Sequence, residues 1–369
     1  MKKIFMLLMC AASVNSFGLS SPSSLLKLET NQDGYKIKFV ADLTNIKQSN
    51  DWFPNFYNYD TKSENDDLYT KEDITIKDNK VYRLLDFKRY DKYINNLSDD
   101  TLLYLCKTTL DGNSNWSCQV IGDGKNPDNL ETQFIQSSDN DQLVMKSKVL
   151  KPDNLIFYNP NTKSFSYKEF PRNYYGFISG GYDFLDSNTY TYYANGIFYT
   201  SGGQYLDFIN KRLYSSNMYS IKGNCYEVTK GYFYSLGDKY YAFDGDGSIF
   251  HVDFSPSNGF IFGEQLGERN AAISHLQLPH QEASADGKLF FLAENKSNIP
   301  PQGKIYYVSE TANKNTGWKT LTIKSTSNDY YAQRFSSLKL YSTDNRIFFS
   351  ILTNTGTLKS RLSLYEITK

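Results

Sequence analysis

The sequence has little of several things. Its 369 residues hold 3 His, 4 Cys and 3 Trp, and its 40 Lys and Arg are matched by 40 Asp and Glu. A formal charge of zero supplies no basic field for nucleic acid or anionic lipid, and no acidic field either. So few cysteines exclude a disulfide-built scaffold. No Walker loop, dinucleotide glycine pattern, Gly-x-Ser-x-Gly elbow or Cys-x-x-Cys pair occurs, which removes the common signatures of nucleotide, serine-hydrolase and dithiol chemistry. No Pro- or Gly-rich linker divides the chain, which reads as one domain. What is abundant is the aromatic residue: 31 Tyr and 25 Phe in a chain that is 40% hydrophobic. Such a chain can fill a large core and is not disordered.

Lys2 and Lys3 precede an apolar segment, Ile4 to Ala12, that is too short to span a bilayer. Small residues follow. Cleavage after Ser16 puts Val14 and Ser16 at the positions a signal peptidase reads, and cleavage after Ser13 is the alternative. Cys10 follows Met9, which is larger than lipoprotein processing prefers, so lipid anchoring is not expected. Residues 1–16 are therefore expected to be a signal peptide and 17–369 an exported domain: periplasmic, surface-bound or secreted. Later apolar runs such as Ile347 to Leu352 are strand-sized, so no transmembrane segment is expected after signal removal. Cys106 and Cys118 lie symmetrically about Gly112. A hairpin turn there would set them opposite each other, within reach of a cross-strand disulfide. Cys225 is then the odd one, expected as a buried free thiol.

Strand signals dominate the rest. A polar turn followed at once by apolar residues recurs at Asp78-Asn79-Lys80-Val81-Tyr82, Asn195-Gly196-Ile197-Phe198, Asp286-Gly287-Lys288-Leu289-Phe290 and Asp344-Asn345-Arg346-Ile347-Phe348, among others. The later ones recur on the scale of one propeller blade. Runs such as Leu289-Phe290-Phe291-Leu292 are apolar on both faces, as a sheet stacked between two neighbours must be. The expected fold is all-β: a single β-propeller of six or seven four-stranded blades, with few or no helices. Phe87, Tyr90, Ile94 and Leu97 suit one short helix starting near Asp86. Lys47 to Lys77, rich in Asn and Asp, is expected to be a long loop.

Two segments match without gaps, Leu105 to Trp116 and Tyr307 to Trp318. Each is a strand, a polar turn and a Trp, on the skeleton Thr-x-(Asp/Asn)-x-Asn-x-x-Trp. The Asp or Asn side chain can accept hydrogen bonds from backbone N–H groups ahead of it and fix the turn. The skeleton resembles the Asp-box, or BNR, repeat of sialidase-like propellers, Ser/Thr-x-Asp-x-Gly-x-x-Trp. The matching positions are Thr109, Asp111, Trp116, Thr311 and Trp318; Asn113 and Asn315 replace Gly, and Asn313 replaces Asp. The resemblance implies a propeller in which these turns are structural and lie away from any catalytic centre.

Sialidases use three arginines, a Tyr–Glu nucleophile pair and an acid. The chain has arginines enough, but lacks the Arg-Ile-Pro motif found near their start. The longest stretch without strand pattern after residue 90 is Gly263 to Ala285, which holds Glu264, Glu268, Arg269, His275, His280 and Glu282. Long loops on rigid scaffolds often carry function, so these six are the candidate binding residues. The spacing of the two His matches no strong metal motif, and no metal or cofactor is expected. Asp244-Gly245-Asp246-Gly247-Ser248 opens like a calcium loop but has Ser255 where an EF-hand needs Glu, so it reads as a turn. His251, between Phe250 and Val252, reads as a packing residue. Tyr doublets such as Tyr240-Tyr241 and Tyr306-Tyr307 supply flat faces and hydroxyls suited to sugars or peptides. The expected function is binding of a glycan or a protein partner by a monomer. The alternative is a sialidase-like carbohydrate hydrolase using the axial mouth, and a third role is a subunit of an envelope assembly.

Overall fold

A computed structural model describes residues 28–30, 34–43, 74–91, 96–110, 116–124, 132–137, 142–147, 154–169, 191–194, 196–200, 204–207, 212–215, 219–221, 224–226, 232–236, 239–243, 247–255, 259–273, 282–293, 302–325, 335–355 and 359–369. Among the described residues the aromatic and β-branched runs form strands. β1 (Leu28–Thr30) and β2 (Lys36–Asp42) come first. A first meander follows: β3 (Ile74–Lys77), β4 (Lys80–Asp91), β5 (Asn96–Thr109) and β6 (Ser117–Gly124). Next come β7 (Thr132–Ser137), β8 (Leu143–Ser147), β9 (Asn154–Asn159) and β10 (Ser164–Glu169). They lead to β11 (Thr191–Ala194), β12 (Ile197–Thr200), β13 (Gln204–Asp207) and β14 (Arg212–Ser215). The short pair β15 (Tyr219–Ile221) and β16 (Asn224–Tyr226) precedes β17 (Tyr232–Leu236), β18 (Lys239–Phe243), β19 (Ile249–Ser255) and β20 (Gly259–Leu266). The last strands are β21 (Glu282–Ala285), β22 (Lys288–Leu292), β23 (Gln302–Ser309), β24 (Lys319–Ser325), β25 (Phe335–Thr343), β26 (Arg346–Thr355) and β27 (Lys359–Thr368). Among the described residues the helical element is a single 3-10 turn, Ala271–Ile273.

Among the described residues the strands form five sheets in a β-propeller arrangement. Their orders are β3-β4-β5-β6; β10-β9-β8-β7-β11-β12-β13-β14; β16-β15-β20-β19-β18-β17; β1-β24-β23-β22-β21; and β2-β27-β26-β25. Five is fewer than the six or seven expected from the repeat spacing. The cause is edge pairing: β7 and β11 join in parallel and merge two antiparallel runs into one sheet, and β15 joins β20 in parallel and absorbs another pair. Going round, β4 packs on β7, β11 and β12 on β17, β17 on β21, β21 on β25, and β25 on β3. The ring closes because β1 and β2, from the start of the chain, form the outer edges of sheets otherwise made from its end. Radial repetition of this kind leaves each sheet only short, protected edges.

The dry-on-both-faces pattern is real. In β26, Phe348 points into a core shared with the first sheet and Phe349 into a core shared with the β21–β24 sheet, each 0% exposed. Val81 and Tyr82 divide in the same way between the two cores that flank β4. Adjacent strand residues face opposite sides, so a sheet between two sheets needs apolar residues at every position. The recurring polar turns are two-residue hairpins with positive φ at both positions: Asp78 and Asn79 (49° and 57°), Asp286 and Gly287 (52° and 63°), Asp344 and Asn345 (48° and 60°). Asp, Asn and Gly tolerate that conformation, and its twist suits antiparallel strands.

Two expectations are corrected. The segment read as a helix from Asp86 is extended: Phe87 pairs with Leu102 and Tyr90 with Leu97 across β4 and β5. A few apolar residues at helical spacing do not stabilise a short helix against a continuous ladder. Ile94 lies outside the described residues. The polar stretch up to Lys77 ends in β3, because Ile74 and Ile76 are buried in the core and carry that strand; residues 44–73 lie outside the described residues.

Candidate functional site

The segment from Gly263 to Ala285 is less of a loop than its composition suggested. Gly263 and Glu264 belong to β20, and Glu282 opens β21. Gln265 and Leu266 pair with β19 and Glu282 to Ala285 with β22, while Gly263 and Glu264 fall where the β19–β20 register shifts. Glu264, Glu268 and Arg269 are exposed, and Glu282 is buried opposite Phe291. His275 and His280 lie outside the described residues. The described ends of the segment are pinned: the Asn270 N–H donates to the Gly247 carbonyl at 2.9 Å, and the Asn270 side chain accepts from the Ala272 N–H. Gly247, at φ 102°, is needed because a Cβ there would lie 2.2 Å from the Asn270 carbonyl oxygen. That fits the turn expected at this Gly.

The same segment meets the second repeated turn. The Glu268 N–H donates to the Thr316 carbonyl, and the Trp318 indole N–H donates to the Glu268 carbonyl at 2.6 Å. The Trp318 ring meets Phe291 edge-on, 5.8 Å between centroids, and lies against Gly267. Within the turn, the Asn313 side chain accepts from the Asn315 N–H at 3.0 Å, and the Thr316 hydroxyl accepts from the Asn313 N–H. Thr311 and Ser309 share a hydroxyl contact at the turn's start. In the first repeat, Thr109 ends β5, Trp116 is buried at 7% exposure, and Asp111 lies outside the described residues. Cys106 and Cys118 face each other across β5 and β6, with Cα atoms 4.0 Å apart, and are disulfide-bonded, as their symmetry about Gly112 predicts. Cys225 lies on β16, opposite Ser220.

A cleft that the sequence reading missed lies between the last two sheets, with a volume of about 170 Å³. It is lined by Tyr35, Asp286, Lys288, Phe290, Asn345, Arg346 and Glu366, among others. Two hairpin turns make its floor. The Asp286 N–H donates to the Asn345 side-chain oxygen at 2.6 Å, and the Asn345 side-chain amide donates back to the Asp286 carboxylate. Arg346 donates to Glu366 at 2.7 Å and to the Asn79 side chain at 3.3 Å, which ties in the corresponding turn of the first sheet. Lys288 donates to the Tyr35 hydroxyl and sits 5.7 Å over that ring and 5.9 Å over Tyr307. The hydrogen bond to Tyr35 holds the Lys288 ammonium above its ordinary value, and Glu366 does the same for the Arg346 guanidinium. Both cations stay charged at neutral pH. The signal available in the sequence was the repeated Asp-x-(Lys/Arg) turn at Asp286 and Asp344, each placing a cation at the start of the next strand.

Among the arginines whose side chains are described, Arg346 alone lines this cleft. Arg83 is buried in the core, donating to the Leu43 carbonyl, and Arg269 is exposed beyond β20. A three-arginine carboxylate clamp is therefore not assembled among the described residues. No group of three or more His, Cys, Asp or Glu poised for a metal occurs among them either. No helix of the described residues is long and apolar enough to cross a membrane.

No family model matches the chain, and no curated protein matches it. Solved structures that it is similar to include three propeller-bearing proteins. TolB from Acinetobacter baumannii is 11% identical over 72% of this chain and 60% of that one, with a TM-score of 0.34. The acylaminoacyl peptidase of Pyrococcus horikoshii is 10% identical over 78% and 44%, at 0.36. The β-propeller domain of Cps50 (Swd1) from Myceliophteria thermophila is 8% identical over 80% and 96%, at 0.38. This chain thus spans less than two thirds of the TolB and peptidase chains it resembles. At these scores the likenesses carry nothing about activity.

Proposed function

We propose that the chain is an exported binding module whose cleft between the last two sheets takes a single glycan unit or a side chain of a protein partner. The observation that carries this is the composition of the cleft: the Tyr35 and Phe290 rings beside the Asn345 amide, the cations Lys288, Arg346 and Lys369 and the carboxylates Asp286 and Glu366, on two hairpin turns hydrogen-bonded to each other. A flat apolar face flanked by fixed donors and acceptors is what a sugar ring needs. The volume is below the roughly 300–1,000 Å³ of drug-sized sites, which favours one ring over a long oligosaccharide. The cross-strand disulfide supports an oxidising compartment, as the basic and apolar N-terminus does. We further read the turns at Thr109–Trp116 and Thr311–Trp318 as degenerate Asp-boxes. The Asn313 side chain accepting the Asn315 N–H supports that, and their role in this reading is structural.

A glycan array probed with purified protein tests the reading. Binding is expected, and Tyr35→Ala and Asn345→Ala abolish it without changing the far-ultraviolet circular dichroism. No hit on glycan or protein arrays, or hits untouched by both substitutions, overturns it. Turnover of a fluorogenic glycoside panel would replace it with the hydrolase.

A further inference from the structure

A second polar cluster lies away from the cleft, at the junction of the first sheet with β7–β10. Tyr82 and Lys107 sit directly opposite each other on β4 and β5, so their side chains leave the sheet on one face. Lys80, two residues before Tyr82, leaves on that face too. From the neighbouring sheet, Tyr158 reaches the Tyr82 ring, centroids 6.4 Å apart, and packs on Phe165. Lys163 stands two residues before Phe165, in a turn where its φ is 55°. Burial first, then Lys80 and Lys163, push the Lys107 ammonium below its ordinary value, so the three charges share one neighbourhood. None of the three makes an ion pair or hydrogen bond among the described residues. Among the described residues Asp78 is the one carboxylate acting on Tyr82, which leaves a positive excess among them.

The Tyr82 side chain is 0% exposed, and its hydroxyl has no hydrogen-bond partner among the described residues. A buried, unpartnered donor is costly, and three unpaired ammonium groups repel each other. One ligand type relieves both. We propose that this junction binds an oxyanion, a sulfate, phosphate or sugar carboxylate group, with Lys80, Lys107 and Lys163 supplying charge and the Tyr82 hydroxyl a directed donor. Charge-assisted hydrogen bonds of this kind are the strong ones. Burial, Tyr158 and Asp78 all raise the Tyr82 hydroxyl's pKa, so it stays protonated and able to donate.

The test is isothermal titration of the purified protein at constant ionic strength with sodium sulfate, sodium phosphate, glucuronate and neutral glucose. At least one oxyanion is expected to saturate in wild type and in Tyr35→Ala alike, and glucose is not expected to saturate in Tyr35→Ala. The strongest of the three identifies the source: sulfate or phosphate as a free or esterified tetrahedral anion, glucuronate as an acidic glycan. Lys107→Gln is expected to weaken binding about tenfold or more, one Coulombic contact in a partly desolvated site. Tyr82→Phe keeps the ring, removes the orphaned hydroxyl, and is expected to leave the anion-free melting temperature unchanged or raised while weakening the anion. Heats of dilution alone for all three anions, or equal affinity in wild type and Lys107→Gln, overturns the proposal. So does glucose binding as tightly as the anions to Tyr35→Ala, in which the cleft no longer contributes. Tyr35→Ala in the cleft should leave this binding intact, which separates failure here from failure of the glycan reading.

Discussion

Trp116 and Trp318 close two turns of one sequence skeleton, yet they are held by different forces. Trp116 is buried in the core that the first sheet shares with the last, together with Val81, Leu110, Tyr341 and Phe348. The strands flanking its turn are joined by the Cys106–Cys118 bond. Trp318 is only partly buried, and the strands flanking its turn carry no covalent link. Its tethers are the indole bond to the Glu268 carbonyl, the reciprocal Glu268–Thr316 backbone bond and the edge of Phe291. The skeleton thus encodes a turn and an inward Trp, and the surroundings decide what the Trp does. In the first turn it belongs to the core at the ring's closing seam. In the second it clasps the adjacent sheet.

The contrast predicts unequal costs. Trp116→Ala removes a large buried ring from a core shared by two sheets and should cost about 3–5 kcal/mol. Guanidinium unfolding measures it, and a loss no larger than that of Trp318→Ala would erase the distinction. Next in size is the covalent link. A Cys106→Ser, Cys118→Ser double variant closes no loop in the unfolded chain and should lose about 2–4 kcal/mol. Dithiothreitol should lower the melting temperature of wild type but not of that variant. Smaller again is the second turn: Trp318→Phe keeps one aromatic ring but forfeits the indole's second ring and its N–H bond, and Asn313→Ala forfeits the Asn315 contact. Each should cost about 0.5–1.5 kcal/mol by the same unfolding measurement. A larger loss for Trp318→Phe than for the cysteine pair would invert the order.

Much of the fold was legible because its cause is local. Asp-Asn and Asp-Gly pairs specify two-residue hairpins, and the doubled apolar residues of Phe290-Phe291 and Phe348-Phe349 announce sheets with no wet face. Cys106 and Cys118 were readable because symmetry about one turn fixes register. The number of sheets was not readable, since parallel edge pairings such as Tyr192 with Gln136 leave no pattern in either strand. The cleft was hidden for a related reason. Tyr35, Lys288, Arg346 and Glu366 come from four separate segments, and only ring closure by β2 brings the first of them to the rest. Glu264 and Glu282 looked like loop residues because their strands lack alternation: Glu264 falls at the register shift of the β19–β20 pair, and Glu282 is placed by its pairing with Phe291.

The smallest expected effect separates the two turns by pH. His251 on β19 packs on Tyr241, rings 5.2 Å apart, near the Lys239–Glu310 ion pair of 2.7 Å. Glu310 stands at the entrance to the second turn. Burial, then Lys239, push the His251 imidazole below its ordinary value, while Glu310, Asp253 and Glu264 pull weakly the other way. Below the usual histidine range the unfolded chain therefore binds more protons than the folded one. The stability owed to a neutral His251 is complete above the unfolded value of about 6.5 and drains away as pH falls toward the lower folded value. The melting temperature of wild type should accordingly drop from about pH 7 to about pH 5.5, and His251→Gln should flatten that slope. Trp116→Ala should keep the wild-type slope at a lower temperature, because the described part of the first turn holds no group that titrates in this window. A slope unchanged in His251→Gln would show that the junction beside the second turn tolerates a charged imidazole, and its tethers would then be less tightly packed than the Trp318 and Gly267 contact implies.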